Sequence, residues 1–265
     1  MASSVKGVPR RPAEDHDGES LPPPEEVGGL FSARARAYAR EKPLVDLHVL
    51  EAGCGWGRGL DLGAREHQTT GVDLDAPALR AHTRERGDLD AWHLGDLRTV
   101  PMPPRAYDVV HAPFLIERVP HAELVLDRFV AGLRPGGLLL VRLRDRDTAF
   151  GFLDRRLPRW MRESMWRGLA KLEPGAGRAP VPPPPAVYER VASRQGMRWY
   201  CVMRGLVIAE EYTSRDALDA LGAGTGLVGA LCRLVSALSR RRLTSEHSEV
   251  TLVIRKPENR FARVI

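Results

Sequence analysis

The chain is poor in the features that staple a small protein or anchor one in a bilayer. It has three cysteines among 265 residues, Cys54, Cys201 and Cys232. They form no CxxC pair, and any single bridge leaves one thiol over, which excludes a disulfide framework and a structural zinc site. Long apolar runs are missing too. The longest, from Leu221 to Cys232, stops at Arg233, short of the roughly 20 residues that a bilayer-spanning helix needs. The N-terminal MASSVKGVPRRPAEDHDGES carries charges with no apolar core behind them and does not read as a secretory signal. A reduced, cytoplasmic protein with no membrane partner is expected.

Lysine is scarce as well: 36 of the 40 basic residues are arginine. The net charge of +6 is uneven, at −3 over residues 1–150 and +9 over residues 151–265. A basic half can attract nucleic acid, anionic lipid or acidic substrates. The abundance of Arg, Ala, Gly and Pro also matches the codon usage of a GC-rich bacterial genome, a simpler cause, so nucleic acid is the lesser expectation.

What is present suits one well-cored α/β domain, with 43% apolar and 28% charged residues. Residues 1–28 hold little to bury and read as a disordered lead. FSARARAYAREK, 31–42, has Phe31, Ala35 and Tyr38 at helical spacing and Pro43 as a stop. Strands are then expected at 44–50, 69–74, 91–96, 107–113 and 137–143. Between them lie a helix over 75–86 with Asp75 as its N-cap and a second over HAELVLDRFVAGL. This alternation predicts a doubly wound, largely parallel sheet covered on both faces. An Arg- and Trp-bearing segment and a Pro-rich connector, 151–185, interrupt it as an insertion. A helix around 186–196, a strand within MRWYCVMRGLVIAEEY, a helix around 227–241 and the strand SEVTLVIRKP close the chain.

The chemistry gathers in VLEAGCGWGRGL, which sets Glu51, Gly53, Gly55 and Gly57 just past the first strand. Glycines there let backbone approach a ligand at the carboxyl edge of the sheet. A GxGxxG dinucleotide fingerprint fails, because the third position is Arg58 or Leu60 according to the start of the count. A P-loop fails because no GKS or GKT follows. The loop therefore suits a nucleoside without a pyrophosphate.

E-x-G-x-G-x-G after a first strand resembles motif I of the class I S-adenosylmethionine-dependent methyltransferases. Further motifs follow in the same register: Asp73 closing the second strand, Asp96 in GDL after the third, YDVVHAP for the fourth, and LRPGGLLLV, 133–141, for the turn and fifth strand. The resemblance implies a seven-stranded Rossmann-like sheet whose last strand is antiparallel, with S-adenosyl-L-methionine as cofactor. By position, Gly53, Gly55 and Gly57 would line the methionine and ribose, and Glu51 would lie near the amino group. Asp73 would accept the ribose hydroxyls. Leu74 would pack on adenine, while Asp96 and the Leu97 backbone would meet its edge. His111 would sit beside the methionine amine.

Methyl transfer is an in-line displacement that positioning alone can accelerate. A hydroxyl acceptor benefits from a base, for which His111 is the first candidate and Glu117 and His121 the next. Glu117 is otherwise expected to pair with Arg118 or Arg128 on a solvated face. HAPF, 111–114, lacks the Asn or Asp that nucleic-acid amino-methyltransferases carry there, which favours a small-molecule acceptor with an O, N or C nucleophile. The rivals are an RNA or protein methyltransferase and a non-catalytic S-adenosylmethionine-binding module. Phe31 and Tyr38 could close over the cofactor. Trp160, Trp166, Trp199 and Tyr200 could form a lid, a substrate pocket or a stacking surface. Oligomeric state is not legible in the sequence.

Overall fold

The computed structural model describes residues 24–43, 46–55, 59–156, 186–219 and 225–258. Seven strands form one sheet: β1 (Leu47–Ala52), β2 (His67–Asp73), β3 (Ala91–Leu94), β4 (Tyr107–Pro113), β5 (Leu133–Arg144), β6 (Val207–Ser214) and β7 (Glu249–Arg255). Their order is β3-β2-β1-β4-β5-β7-β6. All neighbours run parallel except β7, which is antiparallel to both β5 and β6. The expected mostly parallel sheet with an antiparallel last strand is therefore present.

Each central strand is apolar on both faces, and its period of two feeds two separate cores. Val109, Leu138, Leu140 and Val253 turn to one side, where they meet Phe31, Ala35 and Tyr38 of α1 (Pro24–Glu41). Val110, Leu139, Val141, Leu252 and Ile254 turn to the other. There they pack with Val125, Leu126 and Phe129 of α3 (Ala122–Gly132) and Met197 and Cys201 of α5 (Arg194–Arg204). The remaining helices are α2 (Pro77–Glu85), α4 (Ala149–Arg156), α6 (Asp216–Asp219) and α7 (Thr225–Leu238). All three cysteines are buried and unbridged.

Several boundaries differ from the sequence reading. Helix α1 begins at Pro24, inside the expected 1–28 lead, because proline's fixed φ suits a first helical turn. Asp75 does not cap α2: the N-cap is Ala76, with no side-chain bond, and Asp75 pairs with Arg80 instead. The helix expected over 186–196 forms at Arg194–Arg204, taking residues assigned to a strand. Ser193 starts it by accepting from the Gly196 N–H, and Gly205, at φ +67°, ends it in the left-handed conformation. Residues 187 and 188 are instead tied to the β4–α3 loop, donating both backbone N–H groups to the Glu117 carbonyl. Of the expected 151–185 insertion, α4 covers the start; Trp160, Trp166 and the Pro-rich connector lie outside the described residues, as does most of the lead.

Helix α1 is pinned to the sheet through one buried acid. Asp108 accepts from the Tyr38 hydroxyl at 3.2 Å and the His48 N–H at 3.1 Å, and it pairs with Arg134. Asp108→Ala would leave that guanidinium and hydroxyl without their acceptor. It should destabilise the fold by about 3 kcal/mol, read as a lower midpoint in urea unfolding with an unchanged slope.

Candidate functional site

The strand order reverses between β2-β1 and β4-β5, so the carboxyl ends of β1 and β4 meet at a switch point, where sheets of this kind bind ligands. The glycine turn sits there. Gly53 has φ +88°, and its N–H bonds the Val72 carbonyl at 2.8 Å. At Gly55 an added Cβ would stand 2.9 Å from both Asp73 Oδ2 and Leu79 Cβ, so only glycine lets the loop lie this close to β2. Arg86 braces the turn from behind, donating to the Cys54 carbonyl at 2.8 Å while pairing with Asp88. Gly57 lies outside the described residues.

Asp73 holds this geometry from the end of β2. Its carboxylate is 2% exposed and accepts from Gly55 N–H at 2.8 Å and Leu74 N–H at 2.6 Å. Loss of hydration raises its pKa to about 6, against the pull of those two donors.

Glu51 and His111 face each other across β1 and β4 in register, with His111 Nδ1 2.7 Å from Glu51 Oε2. Both are buried. Glu51 Oε1 is equally buried and has no hydrogen-bond partner among the described residues. Phe31 covers the pair, its ring edge-on to the imidazole at 5.3 Å. Tyr38, expected beside it, belongs to the core at the opposite end of β4.

Next to the turn is a cavity of about 350 Å³ lined by Leu74, Asp96, Leu97, Val119, Pro120 and Val125. Its walls are largely apolar, with Asp75, Asp96 and Arg98 as its charged lining. Asp96 is held by Arg98 through its backbone N–H, Nε and Nη2, which push its pKa down to about 2. Leu97 is buried. Its carbonyl accepts from Arg128, and its N–H has no hydrogen bond among the described residues.

The other candidates separate. Glu117 is not on a solvated face: it is fully buried, and neither carboxylate oxygen accepts a hydrogen bond among the described residues. Arg118 Nε stands 3.9 Å away, and burial raises the carboxyl's pKa. Arg128, its other expected partner, instead donates to the Leu97 and Val100 carbonyls. The cause is the 186–192 segment, which folds over the β4–α3 loop and removes it from water. His121 is exposed, in a left-handed conformation ahead of α3. Glu189 caps that helix by accepting from His121 N–H and Ala122 N–H, a role that no local signal revealed because 68 residues separate donor and acceptor. Tyr200 is buried with its hydroxyl on Asp127, and Trp199 is exposed.

These features suit an adenosyl ligand bearing an ammonium group. The glycine cradle admits a close backbone approach, the apolar cavity takes a base, and the unpaired Glu51 Oε1 offers a buried acceptor for a cation. A doubly wound domain whose described residues suit a nucleoside at its switch point is the class so defined.

Comparison with known proteins narrows it. Residues 50–139 match a family model described as a methyltransferase domain. The chain is 32% identical over 100 residues to trans-aconitate 2-methyltransferase of Variovorax paradoxus, covering 37% of this chain and 38% of that one. It is 33% identical over 103 residues to the ubiquinone biosynthesis O-methyltransferase of Sodalis glossinidius, covering 37% and 41%. Each match thus spans about two fifths of the relative's length. Among solved structures, an S-adenosylmethionine-dependent methyltransferase from Mesorhizobium loti aligns with a TM-score of 0.51 at 14% identity, over 88% of this chain and all of that one. The [4+2]-cyclase SpnF aligns with a TM-score of 0.50 at 17% identity, over 86% and 81%. The chain carries the Rossmann-like fold of the class I S-adenosylmethionine-dependent methyltransferase family. That fold implies S-adenosylmethionine as the cofactor.

Two measurements test the site. The expected ribose contact requires an ionised Asp73, so affinity for S-adenosylhomocysteine should weaken as pH falls through about 6. Asp73→Ala should cost roughly a hundredfold and flatten that dependence in calorimetry. For the expected adenine contact, Asp96 would have to release Arg98. Arg98→Ala should therefore leave affinity equal or a few-fold tighter, whereas Asp96→Ala weakens it several-fold.

Proposed function

We propose that the protein transfers a methyl group to an O, N or C nucleophile of a small molecule and releases S-adenosylhomocysteine. The observation that carries this reading is the buried Glu51–His111 pair, set at the switch point beside the glycine turn.

Bound S-adenosylmethionine supplies an electrophilic methyl group on a sulfonium. The rest falls to the chain. Asp73 fixes the ribose, and the Leu74–Leu97 cavity fixes the base. The Glu51 carboxylate has acceptors and no donor, so it draws the imidazole proton onto Nδ1 and leaves Nε2 with a free lone pair. With Glu51 Oε1 balancing the ammonium charge, one carboxylate both anchors the cofactor and orients a base. Phe31 excludes water from the far side of the ring, which keeps that proton transfer directed at the acceptor. As the acceptor took the methyl group and S-adenosylhomocysteine left, His111 Nε2 would receive the acceptor's proton.

A small acceptor is supported by HAPF at the end of β4, which lacks the amide or carboxylate of the base-modifying enzymes. The names of the two curated relatives also specify trans-aconitate and ubiquinone biosynthesis. Fold alone does not set the reaction, as the cyclase among the structural neighbours illustrates.

Assay against a panel of small hydroxyl, carboxyl and amine acceptors should yield methylated product. Cofactor binding without any product would instead mark a non-catalytic module, and methylation of RNA or protein alone would mark a polymer enzyme. His111→Gln should lower kcat at least about a hundredfold. Affinity for S-adenosylhomocysteine should stay near native; an unchanged kcat would remove His111 as the base.

A further inference from the structure

Helix α7 is apolar almost all round, a pattern normally found only where a helix is enclosed. Its inner stripe, Val228, Cys232 and Val235, packs with Phe150 and Leu153 of α4 and with Leu218. Among the described residues its outer stripe has no such cover: Leu227, Leu231, Leu234 and Leu238 are 78%, 43%, 54% and 77% exposed. The four leucines are spaced four, three and four residues apart and so share one face.

Charge frames this stripe on one side of neutrality only. From residue 220 to residue 245 the chain has four arginines, Arg233, Arg240, Arg241 and Arg242, and no acidic residue. All four are exposed. Arg240 and Arg241 take left-handed backbone conformations, with φ of +53° and +60°, at a cost of about 1 kcal/mol each for a side chain other than glycine. The turn is held by Arg240 N–H on the Ala237 carbonyl and Arg241 N–H on the Ser236 carbonyl. The basic triplet is thus fixed at the end of the leucine face rather than trailing from it.

We propose that α7 docks the protein on an anionic lipid surface, lying in the plane of the interface with its leucines in the acyl boundary and its arginines at the headgroups. A helix of 14 residues presents about 21 Å of such a face. Charge complementarity selects this occupant. A second copy would bring its own four arginines against a helix that has no carboxylate to receive them. Nucleic acid would pair the arginines but leave four leucines in water. This contact is parallel to the membrane and distinct from a span; no described helix is long and apolar enough to cross a bilayer.

The position of α7 gives the contact a consequence. Strands β5 and β6 run the same way, each antiparallel to β7. Helices α6 and α7 follow the carboxyl end of β6, and α4 follows that of β5. A bilayer met by α7 therefore lies toward the rim of the sheet on which the glycine turn and His111 stand.

Co-sedimentation of the full chain with two vesicle preparations tests the proposal, phosphatidylcholine alone and phosphatidylcholine with about one third phosphatidylglycerol. The protein should pellet with the anionic vesicles and stay in solution with the neutral ones. The double variant Leu231→Ser, Leu234→Ser should weaken binding at least about tenfold. The triple variant Arg240→Gln, Arg241→Gln, Arg242→Gln should weaken it on the order of a hundredfold. Circular dichroism and S-adenosylhomocysteine affinity should match the parent, since none of these residues touches the site. Absence of pelleting, or equal pelleting with both vesicle types, overturns the proposal. So does a dimer in light scattering that the leucine variant converts to monomer, because a second copy then covers the face.

Discussion

The site depends on one buried carboxylate at the end of a strand. Asp73 gives up its hydration to accept two backbone N–H groups, one from the glycine turn and one from its own β2 extension. That arrangement holds two loops from different strands at a fixed separation and leaves the acid with a raised pKa, to about 6. In the proposed role of Asp73, a ligand's hydroxyls would solvate it again and recover part of the free energy spent on burying it. Gly55 is the other half of the constraint, because any Cβ there would drive the turn off the acid.

The same logic recurs at Glu51, with a different outcome. Its neighbour across the sheet is an imidazole, so one oxygen is satisfied inside the protein and the other is left for a ligand. Parallel pairing of β1 with β4 brings this about, since it sets residues 60 apart in sequence side by side. A third buried acid, Glu117, lies in the loop after β4 and is closed over by the returning 186–192 segment. Three carboxylates along one rim are thereby given three environments by what each strand end meets.

Much of the fold was legible because its signals are local and repeated. Strands flanked by helices, a glycine turn after the first strand, and acids closing the second and third all follow from chain order and period. The misses have one physical origin. Ser193 and Gly205 bracket a helix whose position propensity alone left ambiguous, and the preceding residues were displaced by bonds to a loop about 70 residues earlier. Asp75 was read as a cap from its type, but Arg80 one turn on offered a charged partner in place of a backbone N–H. Glu117 was read as solvated because charge usually is, and its burial depends on a segment far along the chain.

The sequence by itself determined the alternation of the sheet, the identity of the turn, and which residues close the first, second and fourth strands. Those features rest on steric and periodic rules that act within a few residues. Only the tertiary structure decided how the acids are used: that Glu51 meets His111, that Asp96 is held by Arg98, that Glu117 loses water, and that a leucine face of α7 does not. Each depends on which distant segment arrives at a given atom, and hydration and Coulomb energy are set by that neighbour rather than by the residue's own type.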